Sequence, residues 1–198
     1  MELDLPVPDY STMSRRQAAL DVNLPVERRE DAGHVVVDAT GVKIYGAGKW
    51  HVRKHGAGQR RTWRKLHLGI DETTKEVVAV DVTASRVHDS RRLPGLLSMV
   101  PGRVGQVSGD CAYDTRACYE SILDFDAAPT IPPRRSARCS DGADPPIWRS
   151  VRDATIRAIR EQGRYRWRVS SGCTRQSLAE NAFSRFKALF GGELSSRK

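Results

Sequence analysis

A mixed α/β sheet, antiparallel in its first strands and parallel in its later ones, is the fold class this chain predicts. Two apolar runs at 66–70 and 76–82 flank a polar turn, Asp71-Glu72-Thr73-Thr74, as the arms of an antiparallel hairpin do. A helical pattern over 89–100 separates that hairpin from another apolar run at 104–110, the layout of a crossover into a parallel strand. No Gly-x-Gly-x-x-Gly follows any strand, so a doubly wound dinucleotide-binding sheet is excluded.

Residues 1–33 hold Pro6, Pro8 and Pro25 and little sustained period, and are expected to form an arm ahead of one domain over 34–198. Val35-Val36-Val37 is a β-branched run that predicts a buried strand, ended at Asp38 by Ala39-Thr40-Gly41. Gly46, Gly48, Gly56 and Gly58 mark a loose connection to the hairpin. Asp89 or Ser90 can cap the helix that Leu93, Leu96, Leu97 and Val100 define before Pro101-Gly102 stops it. The strand 104–110 ends on Asp110, and Asp114-Thr115 opens a second helix through Leu123, with Asp114 as its expected cap. A short extended piece follows at 129–133, then a polar loop over 134–148. The remaining helical patterns are 150–161 and 177–190, the latter with Leu178, Ala182, Phe183, Phe186, Leu189 and Phe190 on one stripe and Gly191-Gly192 as its stop.

The 198 residues are 39% apolar and 29% charged, with a net charge of +9. No apolar run approaches the roughly 18 to 20 residues of a membrane span, and Met1-Glu2-Leu3-Asp4-Leu5-Pro6 lacks a signal-peptide pattern, so no membrane role and a cytoplasmic, nucleoid-associated location are expected. Cys111, Cys118, Cys139 and Cys173 form no Cys-x-x-Cys pair and predict free thiols. The charge is segregated: residues 39–70 carry eight cations and no acid, residues 134–198 have a net charge of +9, and the segment between them is acidic. Lys49-Trp50-His51-Val52-Arg53-Lys54-His55 and Arg60-Arg61-Thr62-Trp63-Arg64-Lys65 interleave cations with tryptophan. Cations neutralise phosphates, and an indole offers either a stacking face or core packing, so a polyanion is the expected partner.

If the helix at 89–100 returns the chain so that the strand ending at Asp110 lies parallel to the one ending at Asp38, both carboxylates meet at one end of the sheet. Paired carboxylates repel and raise each other's pKa unless a cation sits between them, and a hard divalent ion such as Mg²⁺ answers that demand. Either aspartate alone is equally able to start a turn. Glu180 is the third candidate, with Lys187 two turns on along nearly the same helix face; Ser177-Leu178-Ala179-Glu180 also fits a capping box, which would give Glu180 a purely structural task.

Four ordered blocks, Asp38-Ala39-Thr40-Gly41, the basic run Lys49–Arg64 continuing to His67, Gly109-Asp110-Cys111-Ala112-Tyr113-Asp114-Thr115, and Ser177–Lys187, together resemble the DDE transposases of bacterial insertion sequences of the insertion-sequence-five and -four type. The resemblance spans essentially the whole chain. It implies a ribonuclease H-like fold with Asp38, Asp110 and Glu180 as the catalytic, metal-holding acids and Lys187 on DNA phosphates. It further implies two Mg²⁺ ions (Mn²⁺ as substitute), Asp38 bridging both, and cleavage followed by strand transfer at the ends of the element. Lys49, Arg53, Lys54, Arg60, Arg61, Arg64, Lys65 and Arg175 are the other expected DNA contacts. Double-stranded DNA, as terminal repeats and target, is the expected partner, and a homodimer the expected active form. Residues 1–33 are then an arm or remnant of a DNA-recognition region, and 34–198 a catalytic domain expected to be C-terminally short. The family's helix signature has a tyrosine seven and an arginine four residues before the glutamate, where Cys173 and Gln176 stand, with Arg168 and Arg175 nearby. A DNA-binding remnant without cleavage activity is the alternative reading.

Overall fold

The computed structural model describes residues 29–44, 63–140, 142, 144–191 and 193–194, and four isolated positions at 12, 15, 16 and 19. β1 (Arg29–Ile44) is the central strand, flanked by β2 (Trp63–Asp71) antiparallel to it and, beyond β2, by β3 (Val77–Ala84). On the other side of β1 lie β4 (Gly102–Ser108) and then β5 (Ala128–Thr130), both parallel. The order is β3-β2-β1-β4-β5, with a two-residue β6 (Glu193–Leu194) pairing the end of β1. Three antiparallel strands followed by parallel ones form the mixed α/β sheet that the sequence predicts.

The pleat of β1 sorts its residues between two cores. Val35 and Val37 pack with Leu93, Leu97, Val107, Tyr119 and Ile122, beneath α1 (Leu93–Met99) and α2 (Arg116–Asp124). Val36 and Val42 pack on the opposite face with Leu66, Leu68, Ile70, Ala179 and Phe183. The last two belong to α5 (Ser177–Phe190), whose expected bounds the structure reproduces and which Gly191 stops at φ 77°. Between α2 and α5 run α3 (Ile147–Gln162) and α4 (Arg164–Ser170). No helix among the described residues is long and apolar enough to cross a membrane, and all four cysteines are free thiols.

Several local expectations are corrected. β1 does not end at Asp38: the ladder with β2 continues from Ala39↔His67 to Lys43↔Trp63, so the backbone past Asp38 finds partners that Ala39-Thr40-Gly41 alone does not advertise. β4 ends at Ser108, two residues before Asp110. The helix expected from 89 opens instead with a 3-10 turn at Asp89–Arg92 capped by His88, because Asp89 is drawn to Lys65 (2.8 Å). Thr115, not Asp114, caps α2, since both oxygens of Asp114 are taken by Arg152 (2.6 and 2.9 Å). The short helix α4 was not foreseen: it buries only Trp167 and has no apolar stripe to announce it.

Candidate active site

The parallel register Val36↔Ser108 sets the geometry of the acids. Asp38 lies two residues beyond Val36 and Asp110 two residues beyond Ser108, so the two aspartates lie at the same end of the sheet. Asp38 and Thr40 alternate with Val36 and Val42 and therefore face the side that α5 covers. Asp110 leaves β4 through Gly109, where an added Cβ would lie 2.8 Å from the buried Tyr113 ring. Only glycine lets the chain turn this close to that ring. The Asp110 carboxylate then accepts the Ala112 N–H (2.8 Å) and caps a 3-10 turn at Cys111–Tyr113.

α5 is brought over this end by two bonds to β1. The Gln176 amide, buried just before the helix, donates to the Val37 carbonyl (3.0 Å), and Lys187 Nζ donates to Thr40 Oγ1 (2.9 Å). The capping box does not form. Ser177 Oγ donates to the Thr174 carbonyl, and Glu180 is exposed, with no hydrogen bond or ion pair among the described residues.

The electrostatics join what the sequence separates. Burial pushes the half-buried Asp38 carboxyl up from 3.8 to about 6, against a 2.7 Å hydrogen bond from the Ala39 N–H that favours the ionised form. The carboxylates of Asp110, Glu180 and Asp89 push it further in the same direction. Asp89, the fourth acid in this field, offers itself in the sequence only as a helix cap. Its ion pair with Lys65 and the 3.9 Å approach of the buried His67 are formed only when β2 and the Asp89 turn pack together. Gln176 was likewise invisible as a support of the site, since its partner lies 139 positions away.

As they stand, no three His, Cys, Asp or Glu side chains among the described residues are grouped so as to hold a metal ion. Of the expected DNA contacts, Lys49, Arg53, Lys54, Arg60 and Arg61 lie outside the described residues, as do His51 and His55. Arg64 is half-buried in β2, opposite Val42 and Ala84. Lys65 donates to Asp89 and to the Val87 carbonyl (3.0 Å). Arg175 pairs with Glu72 (3.0 Å), and Lys187 holds Thr40.

A family model described as a transposase DDE domain matches residues 29–198. The chain belongs to the DDE-domain transposases. A second model of the same description matches residues 1–47 of this transposase. Among solved structures, it is similar to a chain of the cryoEM structure of the simian T-cell lymphotropic virus intasome in complex with PP2A regulatory subunit B56 gamma. The identity is 14% and the TM-score 0.33, over 77% of this chain and 49% of that one. This transposase thus spans about half the length of the intasome chain it matches, and at that score the two backbones share too little to carry chemistry from one to the other.

Proposed function

We propose that this chain cuts DNA at the ends of a mobile element and joins the freed strand to a target, with Asp38, Asp110 and Glu180 as its metal-holding acids. The observation that carries the reading is the parallel pairing of β1 with β4, which brings Asp38 and Asp110 to one end of the sheet. To that same β1, α5, the helix of Glu180, is tied through Gln176 and Lys187. In support, the acids come from a central strand, the end of its parallel neighbour and a late helix, in a chain of the transposase DDE family. Burial first, then the Asp110 and Glu180 charges, raise the Asp38 carboxyl.

The donor set fits a hard divalent ion: oxygens only, and like charges that a cation relieves. Bound there, two Mg²⁺ ions would supply the Lewis acidity that activates a water or a 3′-hydroxyl and steadies the leaving oxygen of a phosphodiester. Each residue has a task in that arrangement. The Ala39 N–H fixes one oxygen of Asp38, and the Ala112 N–H fixes one of Asp110, so both carboxylates are oriented before any ion arrives. Glu180, uncommitted and exposed, is free to swing toward them. Lys187 is held by Thr40 beside Asp38, where a scissile phosphate would meet its charge. No protein nucleophile is required. Duplex DNA, as terminal repeats and target, would be the substrate and a homodimer the working form. Because β1 already begins at Arg29 and pairs with β4 there, the catalytic domain would start at 29 rather than at the expected 34, behind a shorter arm.

The test is a labelled duplex carrying the element's terminal repeat, incubated with the full chain and Mg²⁺ or Mn²⁺. We expect strand nicking by the chain and none by Asp110→Asn, with DNA affinity little changed. Equal nicking by both would remove Asp110 from the chemistry. Binding without nicking by either would leave a DNA-binding remnant.

A further inference from the structure

We propose that the arginine-lined cleft between α2, α3 and the loop at 138–140 is a second DNA seat, one that takes backbone phosphates beside the acidic site. The proposal rests on the DNA-acting reading above and adds a surface which that reading does not use. The cleft is a cavity of about 370 Å³ walled by Arg116, Arg138, Arg149, Arg152 and Trp148.

Its positive charge is offset only in part from within. Two carboxylates also line it, but both are buried and spent on holding the walls together. Asp114 binds Arg152 through both oxygens and accepts the Arg134 N–H (3.1 Å), which ties α3 to the start of α2. Asp153 accepts the Ser140 N–H (2.8 Å), which ties the loop to α3. Arg116 pairs with Glu120 along α2 (2.8 Å). Arg138 and Arg149 are exposed and meet no carboxylate among the described residues. Arg149 lies over the Trp148 ring, 5.0 Å from its centroid, which preorganises the guanidinium and limits the entropy lost when it binds. Four arginines against Asp114, Asp153 and the Glu120 partner of Arg116 leave the cleft net positive, and its two exposed guanidinium forks on pinned walls suit the oxygens of phosphate groups.

A polyanion fits better than a small anion because the positive surface does not stop at the cleft. Arg160 approaches Cys139 at the cleft wall (4.0 Å), and Arg157, Arg166 and Arg168 are exposed along α3 and α4. The cleft is also close to the acids. Asp114 follows Asp110 by four residues, so at most about 14 Å of chain separates them even fully extended. A strand engaged at Asp110 can therefore lay a neighbouring phosphate against Arg138 and Arg149.

The experiment is fluorescence anisotropy of the full chain with a labelled duplex of arbitrary sequence across a salt series, since phosphate contacts carry no sequence information. Arg138→Ala/Arg149→Ala is compared with Arg103→Ala, an exposed arginine paired with Asp126. We expect the double variant to bind on the order of a hundredfold more weakly at 0.1 M salt, with a log K against log salt slope shallower by about 1.8, and Arg103→Ala to match the wild type. Arg149→Lys, which keeps the charge, should keep most of the slope. The same affinity and slope in the double variant and the control would overturn the proposal. So would a thermal shift by inorganic phosphate that the double variant abolishes while its DNA affinity stays intact, because the cleft would then be a small-anion site. Binding is read without cleavage. A chain that never nicks DNA but loses affinity in the double variant keeps this seat and loses the enzyme reading, and nicking with unaltered affinity does the reverse.

Discussion

Successive residues of β1 face two environments, and the contrast between them separates what folds this chain from what it does. On the α1–α2 side, Val35 and Val37 close onto Leu93, Leu97, Tyr119 and Ile122 in a core from which water is excluded. On the α5 side, Val36 and Val42 bracket Asp38 and Thr40, and the covering helix contributes Ala179 and Phe183 beside the exposed Glu180. One face is packed by apolar and aromatic side chains and holds no carboxylate among its core residues. The other interrupts its apolar packing with a carboxylate that burial and three neighbouring acids hold well above its ordinary value. Stability should therefore be concentrated on the first face and chemistry on the second.

The largest effect on stability should come from the first face. Leu97→Ala removes a fully buried side chain and leaves a cavity among well-packed neighbours, so about 2–5 kcal/mol should be lost in urea unfolding. The folded fraction should bind DNA as before. A loss of under 1 kcal/mol would mean that this core is loosely packed and that the contrast between the faces is weaker than the contacts suggest.

Asp38→Asn tests the second face, and its sign is opposite. The native Asp38 carboxyl, at about 6, binds a proton more tightly than its ordinary value of 3.8, so the native chain holds more protons than the unfolded chain between those pH values. Stability then falls as pH rises through about 3.8 to 6, and the full penalty persists above. In metal-free buffer at pH 8 the Asn variant should be more stable than wild type by about 1–2 kcal/mol, because part of the carboxyl remains in water. The difference should vanish below about pH 3.8, and nicking should be lost at every pH. A variant less stable than wild type at pH 8 would show that Asp38 is held by favourable partners rather than crowded by like charges.

The two faces also differ in how much the sequence discloses. The valine run at 35–37 and the stripe of α5 follow from residue type and period alone; the parallel return of β4 beside β1 is legible only as what a helical crossover allows. What the sequence hides depends on partners far along the chain. Asp38 looks like a strand end until the Ala39–Lys43 ladder with β2 is seen. Asp89 and Asp114 both look like helix caps, yet each is claimed by a distant cation, Lys65 in one case and Arg152 in the other. Ser177 and Glu180 spell a capping box, but the 3-10 turn at Cys173–Gln176 runs straight into α5, so Ser177 is already helical and bonds back to Thr174 instead. Local chemistry proposed these roles, and long-range pairing reassigned those of the aspartates.

The smallest effect on stability, and the sharpest test of the contrast, is expected from Gln176→Leu. The substitution strands the buried Val37 carbonyl, which alone would cost about 1–3 kcal/mol. It also removes the Gln176 Oε1 atom, which is buried without a hydrogen-bond partner and already costs the native chain free energy. The two changes offset, so the net loss should be about 1 kcal/mol or less. Function should not be spared in the same way, because this bond and the Lys187–Thr40 bond hold α5, and with it Glu180, over β1. We expect nicking to fall at least tenfold and the Asp38 carboxyl to titrate nearer its ordinary value, read by carboxyl NMR, as the Glu180 charge moves away. A variant with unaltered Asp38 titration and wild-type nicking would show that α5 keeps its place through Ala179 and Phe183 alone, and that the apolar packing of the second face, not its polar bonds, positions the acid.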